Sequence, residues 1–330
     1  MDRSSTSLSF LEMVTRDKFL PVAKDNIYDT NRIFKIMKLR IKDASGTSFS
    51  WNTVAHRHRS VSRFKGFSTI PIQGNNPLEG MNLPVGQYAA ALSFAKDDLI
   101  KNTGNKEKLA DMAEAQMKNA EATLIEDIGL DMYGDGSLVN GLQGIVGLQA
   151  AISASNTYAG FDRSSAANAF WRSNVDATAY TQAQLETPTE TGYLPRLMLK
   201  QFTAATHSSS PDFLVSTENV YNTYSLIGQV SNLRFGMGKA DLGFSTLEFN
   251  GATFLFDKYC PTSSMFFLNT KDWDVYVYPG ANFDLDKDEE TGSIWIRALG
   301  QIAKTAYVLW MGQVRCNEPR AQASLTGLAS

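Results

Sequence analysis

Histidine, cysteine and long apolar runs are scarce in this chain, and each scarcity closes a class of function. Two cysteines, Cys260 and Cys316, among 330 residues do not make a disulfide framework, and their spacing fits no metal motif. Both are expected to be free thiols in a reducing compartment. No apolar run approaches the ~18 residues of a membrane span. The longest candidate, AYVLWMG at 306–312, is strand-sized, so no membrane partner is expected. Ser, Thr and Asp fill the first positions where a secretory signal would carry an apolar core, so no such signal is expected. What remains is ordinary globular material: 43% apolar and 20% charged residues, enough for a sizeable core.

The net charge is only −3, so the whole chain does not read as a nucleic-acid binder. Its distribution is uneven. Residues 1–65 carry thirteen basic and six acidic side chains, a surplus of +7, which leaves −10 on the remainder. Such a split points to a basic arm that seeks acidic surface, on another molecule or on another copy of the chain.

Motifs for chemistry are incomplete wherever they begin. His56 and His58 share one face of an expected strand, with no third metal ligand nearby in sequence and basic residues around them. His207 could meet a serine and Asp212, but a GxSxG elbow is absent, and a helix C-terminal role fits His207 better. DLDKDEETG at 284–292 starts like a calcium loop, yet Glu289 replaces the sharp-turn glycine and Trp295 stands where a bidentate acid is needed. GMGKADLG at 236–243 fits neither a phosphate loop nor a dinucleotide loop. The adjacent pairs Glu126–Asp127 and Asp97–Asp98 lack the shared cleft that acid–base pairs need. The reading is therefore of a non-enzyme, with no catalytic residue, metal or cofactor.

Along the chain, SFLEMVTRDKFLP opens with Ser9 and Glu12 in capping-box spacing, with Pro21 limiting the helix. MKLRIK at 37–42 alternates apolar with basic, the pattern of a half-covered strand. Residues 48–64 and 88–100 are strand-capable, and QGNNPLEGMNLPVG at 73–86 lies between them. These predict a long hairpin with an irregular Gly/Pro-rich tip. Such an arm is marginal alone and needs another surface. Residues 105–133 predict a long amphipathic helix with Leu109, Met112, Ala113, Gln116, Ala120, Leu124 and Ile128 on one face, Asn105 as cap and Gly134 at its end. Helices at 193–207 and 216–230 flank a strand at 212–215. Asn250-Gly251 between LEF and ATFLF marks a tight hairpin. MFFLN, WDVYVYP, SIWIRAL (293–299) and AKTAYVLWMGQVRC (303–316) make the C-terminal third mostly sheet. Phe254, Phe256, Phe266, Phe267 and Trp273 are expected to fill its core.

This order of elements resembles the major capsid proteins of tailed bacteriophages. Local stretches share the likeness: DMYGDGSLVNGLQGIV (131–146), TYAGFDRSSAANAFWRS (157–173), FNGATFLFDKYCP with MFFLN, and GQVRCNEPRAQASLTGL (312–328). The resemblance implies an α+β chain of HK97 fold. It would have an N-terminal arm (1–47), an extended E-loop hairpin (48–100) and a P-domain with a long spine helix (101–139). An A-domain (140–270) and return strands with a C-terminal closure (271–330) would follow. It implies self-assembly as hexamers and pentamers into an icosahedral shell around double-stranded DNA, in the virion and, during assembly, the host cytoplasm. A separate scaffold, a portal and a decoration protein are the other expected partners. Candidate inter-subunit contacts are Lys35, Lys38, Arg40 and Lys42 on the arm, Arg57, Arg59 and Arg63 on the hairpin, and Gly74, Asn75, Asn76, Pro77 and Gly80 at its tip. Contact with packaged DNA would be nonspecific and salt-sensitive; the apolar residues interleaved with the basic ones favour subunit contact. An encapsulin-type compartment, a hydrolase built on residues 193–245 and a minor head or decoration protein stay open as alternatives.

Overall fold

The long amphipathic helix spans Lys106–Asp131 in the computed structural model. The structure describes residues 13, 15, 19–38, 40–55, 61–69, 77–101, 106–207, 209–230, 247–287, 292–297 and 303–329. Good helix formers fill the long helix, and Leu109, Ala113, Met117, Ala120, Leu124 and Ile128 recur every three or four residues and are buried. Met112 and Gln116, expected on that face, are only half-buried, and Met117 takes the place between them. Tightened turns close the helix, with the Tyr133 and Gly134 amides donating to Leu130 and Asp131. The expected cap, Asn105, lies outside the described residues.

The chain divides into two units. One gathers residues 1–46, 85–147 and 274–315, and the other 47–84, 148–273 and 316–330. In the first, helix Leu20–Thr30 packs on the long helix through buried Ala23 and Ile27. The Asn31 side-chain amide then donates to the Ile125 carbonyl at 3.2 Å. Pro21 does not limit a helix, as expected from the sequence; it sits in the first turn of this one, where its missing N–H is no loss. Ser9 and Glu12 lie outside the described residues. The strand expected over 37–42 is also corrected. Met37 and Lys38 finish a helix, Arg32–Lys38, and only Ile41–Asp43 is strand, parallel to Val275–Val277. The alternation misled because buried Phe34 and Met37 also satisfy an i, i+3 helical stripe.

The sheet of this unit is built on two long strands, Trp273–Leu285 and Ala303–Cys316. Ala306, Val308, Trp310, Val314 and Cys316 are buried at alternate positions, as a strand with one face on the core requires. Gly86–Ala95 pairs antiparallel with Ala303–Gly312. Of the strand expected at 293–299, only Ile296–Arg297 is strand among the described residues. Trp310 centres the core, with Phe34, Tyr88 and Phe283 within 6.2 Å of its ring.

The hairpin is the largest correction. Its strands are Phe49–Val54 and Leu78–Leu83, paired from Phe49 opposite Leu83 to Val54 opposite Leu78. The segment read as an irregular tip thus supplies the second strand, while 88–100 joins the other unit's sheet as far as Ala95 and then turns helical over Lys96–Lys101. Glycine and proline density in LEGMNLP hid the decisive signal, the alternation that buries Met81 and Leu83.

The second unit's main sheet runs Asn174–Asp176, Ala323–Thr326, Ser264–Leu268, Phe213–Ser216, Ala252–Phe256 and Leu247–Phe249 in spatial order. Helices Leu194–Ala205 and Glu218–Val230 pack on it. They close a core of Leu197, Met198, Phe202, Tyr224, Phe254, Met265, Phe267 and Leu325. Asn250-Gly251 forms the expected tight turn, with φ of 53° and 85°. Phe254, Phe266, Phe267 and Trp273 are buried as expected, and Phe256 is half-buried. Thr206, not His207, closes the first of these helices, through its amide and its hydroxyl, both donated to the Phe202 carbonyl.

Candidate functional site

Exposure along the hairpin rises from base to tip. Phe49, Met81 and Leu83 are buried at one end, while Val54 and Leu78 are exposed at the other. Beyond Val54, the described stretch 61–69 leaves Val61, Phe64 and Phe67 each more than two-thirds exposed. This stretch is ordered around a turn. The Ser68 amide and hydroxyl both donate to the Lys65 carbonyl, at 3.2 and 2.7 Å, and Gly66 adopts a φ of 58°. Aromatic side chains are thus displayed to solvent on a hydrogen-bonded turn. They are what a protein–protein contact uses.

A second exposed apolar feature follows the long helix. Val139 and Leu142 exchange backbone hydrogen bonds at 3.1 and 2.9 Å across Asn140 and Gly141, whose φ values of 52° and 78° define a primed turn. Leu138, Val139 and Leu142 all remain more than half exposed. Behind this turn the chain is anchored tightly. The Tyr88 hydroxyl donates to Asp131 Oδ2 at 2.5 Å and accepts the Ile145 amide at 2.9 Å. Burial, then the hydrogen bond to Asp131, hold the Tyr88 phenol well above its ordinary pKa. Gly144 permits the approach, since a Cβ there would lie 2.3 Å from Asp131 Oδ2. Partial burial and the repulsion of Asp131 and Glu126 raise the Asp127 carboxyl above its usual value.

The candidate contact residues fall into three groups. Lys35 is half-buried on helix Arg32–Lys38, which Lys38 ends; Arg40 donates its amide to the Met37 carbonyl at 2.9 Å. Lys42 and Arg315 share the buried Asp274 carboxylate at 2.9 and 3.2 Å. On the hairpin, Arg63 is exposed, Gly80 faces Asn52 across the ladder, and the Pro77 carbonyl accepts the Ala55 amide at 2.8 Å, extending that ladder by one bond. Arg57, Arg59, Gly74, Asn75 and Asn76 lie outside the described residues.

Two of the residues weighed for catalysis, Asp212 and His207, lie among the described residues. Asp212 spends its carboxylate on the Thr270 amide and hydroxyl, at 2.8 and 2.5 Å, and the His207 amide donates to the Ser209 carbonyl at 3.2 Å. Among the described residues no group of three acidic, histidine or cysteine side chains is placed to hold a metal ion. His56, His58 and the 236–243 loop lie outside them. Of the acidic run, Asp284 accepts the Asn282 amide at 3.3 Å.

Sequence reasoning missed Arg163. It is fully buried, and its guanidinium donates to the carbonyls of Asn156 and Ala151 at 2.7 and 2.6 Å and to that of Ala150. Arg172 in turn holds the carbonyls of Arg163, Ser164 and Ser165. The FDRSSAANAFWR stretch is therefore a loop fastened by two arginines. Its only sequence signal was a pair of cations inside an otherwise small and apolar segment.

This α+β chain, with its long helix, two-stranded hairpin and C-terminal strand inserted into the second unit's sheet, has an HK97-like fold. Structural comparison agrees. Over 91% of its length the chain matches the capsid asymmetric unit of cyanophage A-1(L), covering 93% of that chain at a TM-score of 0.64 and 16% identity. The capsid of a native GTA particle matches over 91% of both chains, at 0.58 and 11%. The SrpI encapsulin of Synechococcus elongatus PCC 7942 matches over 89% of this chain and 87% of that one, at 0.51 and 8%. No family model and no curated protein sequence matches.

Proposed function

We propose that the chain is a major capsid protein of a tailed phage, which self-assembles into an icosahedral shell enclosing double-stranded DNA. One observation carries this: a fold shared with phage-type capsids over nine-tenths of the chain, in which the apolar surface of the hairpin tip has no cover of its own. Hexamers and pentamers are the rings such a shell needs. Residues 1–47 act as the arm, and the hairpin Phe49–Leu83 as the E-loop that lies over a neighbour. The long helix is the spine of a P-domain, and the second unit's main sheet is the centre of an A-domain. Scaffold, portal and decoration proteins complete the partners, and the virion is the place of action.

The likeness to an encapsulin supports a second reading, a compartment that stores protein rather than a genome. Electron microscopy of the purified full-length chain tests both. Closed shells or hexameric and pentameric rings are expected, and a monomer at every concentration and salt would overturn them. Shells recovered from cells with nucleic acid inside favour the capsid; shells filled with another protein favour the compartment.

A further inference from the structure

Residues 40–46 are held to the sheet of the first unit by polar bonds, with little apolar burial. Ile41–Asp43 is a three-residue strand at the sheet's edge, parallel to Val275–Val277. The Val275 amide donates to the Arg40 carbonyl at 3.2 Å, and the Ala44 amide donates to the Val277 carbonyl at 2.9 Å. The Tyr278 hydroxyl donates to the Gly46 carbonyl. Ala44 is the one apolar side chain of this span that is buried, and Ile41 is half-buried. Two firmer anchors stand outside the span: buried Met37 before it, and buried Phe49, the first residue of the hairpin, after it.

The ion cluster that holds this span is unequal. The Asp274 side chain is 6% exposed and carries one cation on each oxygen. Lys42, with half its side chain in solvent, sits on Oδ1, and Arg315, 15% exposed, sits on Oδ2. Both cations also lie over the Tyr276 ring, 5.8 and 4.6 Å from its centre. A half-solvated lysine regains water when it leaves, whereas taking the last cation from a buried carboxylate strands a charge. With two cations on one carboxylate, the first can leave without that cost.

We propose that residues 40–46 form a latch that opens and recloses, with Asp274 as its catch. On opening, Lys42 leaves Oδ1 and Ile41–Asp43 separates from Val275–Val277. Arg315 stays on Oδ2, and the long strands keep their pairing. The span between Met37 and Phe49 then carries slack, so the hairpin's first strand can change direction without either anchor leaving its core. The latch goes beyond the assembly reading and stands or falls independently of it.

Hydrogen-exchange mass spectrometry of the full-length, unassembled chain, corrected for intrinsic rates, tests the latch. Raising salt from 50 to 500 mM is expected to speed exchange in 40–46 about threefold by screening the Lys42 pair, with the strands at 273–285 and 303–316 unchanged. Lys42→Met should show the fast rate already at 50 mM and no further response to salt. Asp274→Asn, which takes the anion from Arg315 as well, should spread the rise to 273–285. Equal acceleration of all three segments in the wild type or in Lys42→Met would mean that the span opens only with the sheet, and would overturn the latch. So would a Lys42→Met chain that exchanges at the wild-type rate and keeps its salt response. A rise confined to 40–46 in Asp274→Asn would overturn the role of Asp274 as the fixed catch.

Discussion

Arg163 offers the sharpest test of how the second unit is held together. Its guanidinium is fully buried, donates to three backbone carbonyls and lies 5.5 Å from the centre of the Tyr158 ring. Replacing it with methionine keeps apolar volume but takes a charged donor from all three carbonyls, leaving Ala151 only the Ser173 hydroxyl at 3.2 Å. Charge-assisted bonds of this kind are worth roughly 1.5–3 kcal/mol each, so about 5–9 kcal/mol of favourable contact is lost. Burying the cation offsets part of that: desolvation lowers its pKa from the ordinary guanidinium value to about 10, roughly 3 kcal/mol at ~1.4 kcal/mol per unit. The net loss is then about 2–6 kcal/mol. Because the folded-state pKa lies below the unfolded one, the burial cost applies in full at every pH below the folded value. It is relieved only as pH rises from there to the unfolded value, so the effect is flat across neutral pH. Hydrogen-exchange mass spectrometry of peptides from 148–173 reads the loss locally, as a rise in exchange of at least thirtyfold. Alanine should be no worse than methionine by more than its lost packing. If Arg163→Met exchanges within threefold of wild type, charge burial cancels the hydrogen bonds and the reasoning fails.

Three further outcomes follow from other sites. Gly147→Ala would place a Cβ 2.3 Å from the Asp131 carbonyl oxygen and 2.5 Å from the Gly134 nitrogen, backbone on both sides. A loss of about 3 kcal/mol is expected, visible as a lower urea midpoint, and an unchanged midpoint would refute the close approach. Burial opposes the charge on Asp176, but hydrogen bonds from Lys200 and Thr178 outweigh it and hold its carboxyl below the usual range. That contribution is full above the unfolded carboxylate pKa and disappears as pH falls through the lower folded value. Asp176→Asn should therefore flatten the acid limb of a stability–pH curve, and an unaltered limb would count against the pair. Phe64→Ser with Phe67→Ser should leave thermal unfolding of the unassembled chain within about 0.5 kcal/mol of wild type while preventing assembly; a large drop in stability would mean the tip packs internally.

What the sequence disclosed were features set by near neighbours. Asn250-Gly251 demands positive φ at both centre positions, so the turn and its two strands were readable from six residues. The stripe from Leu109 to Ile128 was readable because helical contacts repeat every three or four residues. Partner choice between strands is different. Phe49–Val54 pairs with Leu78–Leu83, and Gly86–Ala95 pairs with a strand more than two hundred residues away; alternation marks a strand and says nothing of its partner. Arg163 was unreadable for another reason. A buried cation satisfied by main-chain carbonyls needs no acidic residue at any spacing, so no pair of letters announces it. At the candidate site, the charge asymmetry was legible and YGDGSLVNGLQGIVG (133–147) reads as a glycine-punctuated turn, but the exposure of Leu138, Val139 and Leu142 was not, because apolar side chains beside a turn carry no mark of which way they face.

Strength and reversibility in the hairpin's contact with a neighbouring copy pull in opposite directions. Covering two exposed phenylalanines and the apolar surface they meet gives on the order of 5–8 kcal/mol of apolar burial. Screened ion pairs at the rim add roughly 1 kcal/mol or less each, and joining two free proteins costs an estimated 4–15 kcal/mol. One tip on one neighbour is therefore close to balance, so a lone pair of copies should separate readily. Ring closure changes this, because the last copy to join makes two such contacts while losing its freedom once. Assembly should then show a sharp critical concentration with few intermediates between monomer and closed ring. Raising salt from 50 to 500 mM should move that threshold upward by weakening the Arg63 and Lys65 contacts. Analytical ultracentrifugation separates the possibilities: a broad distribution of dimers, trimers and tetramers at equilibrium would mean that single contacts are strong, and that the hairpin tip is not the small, repeated contact inferred from its exposed residues.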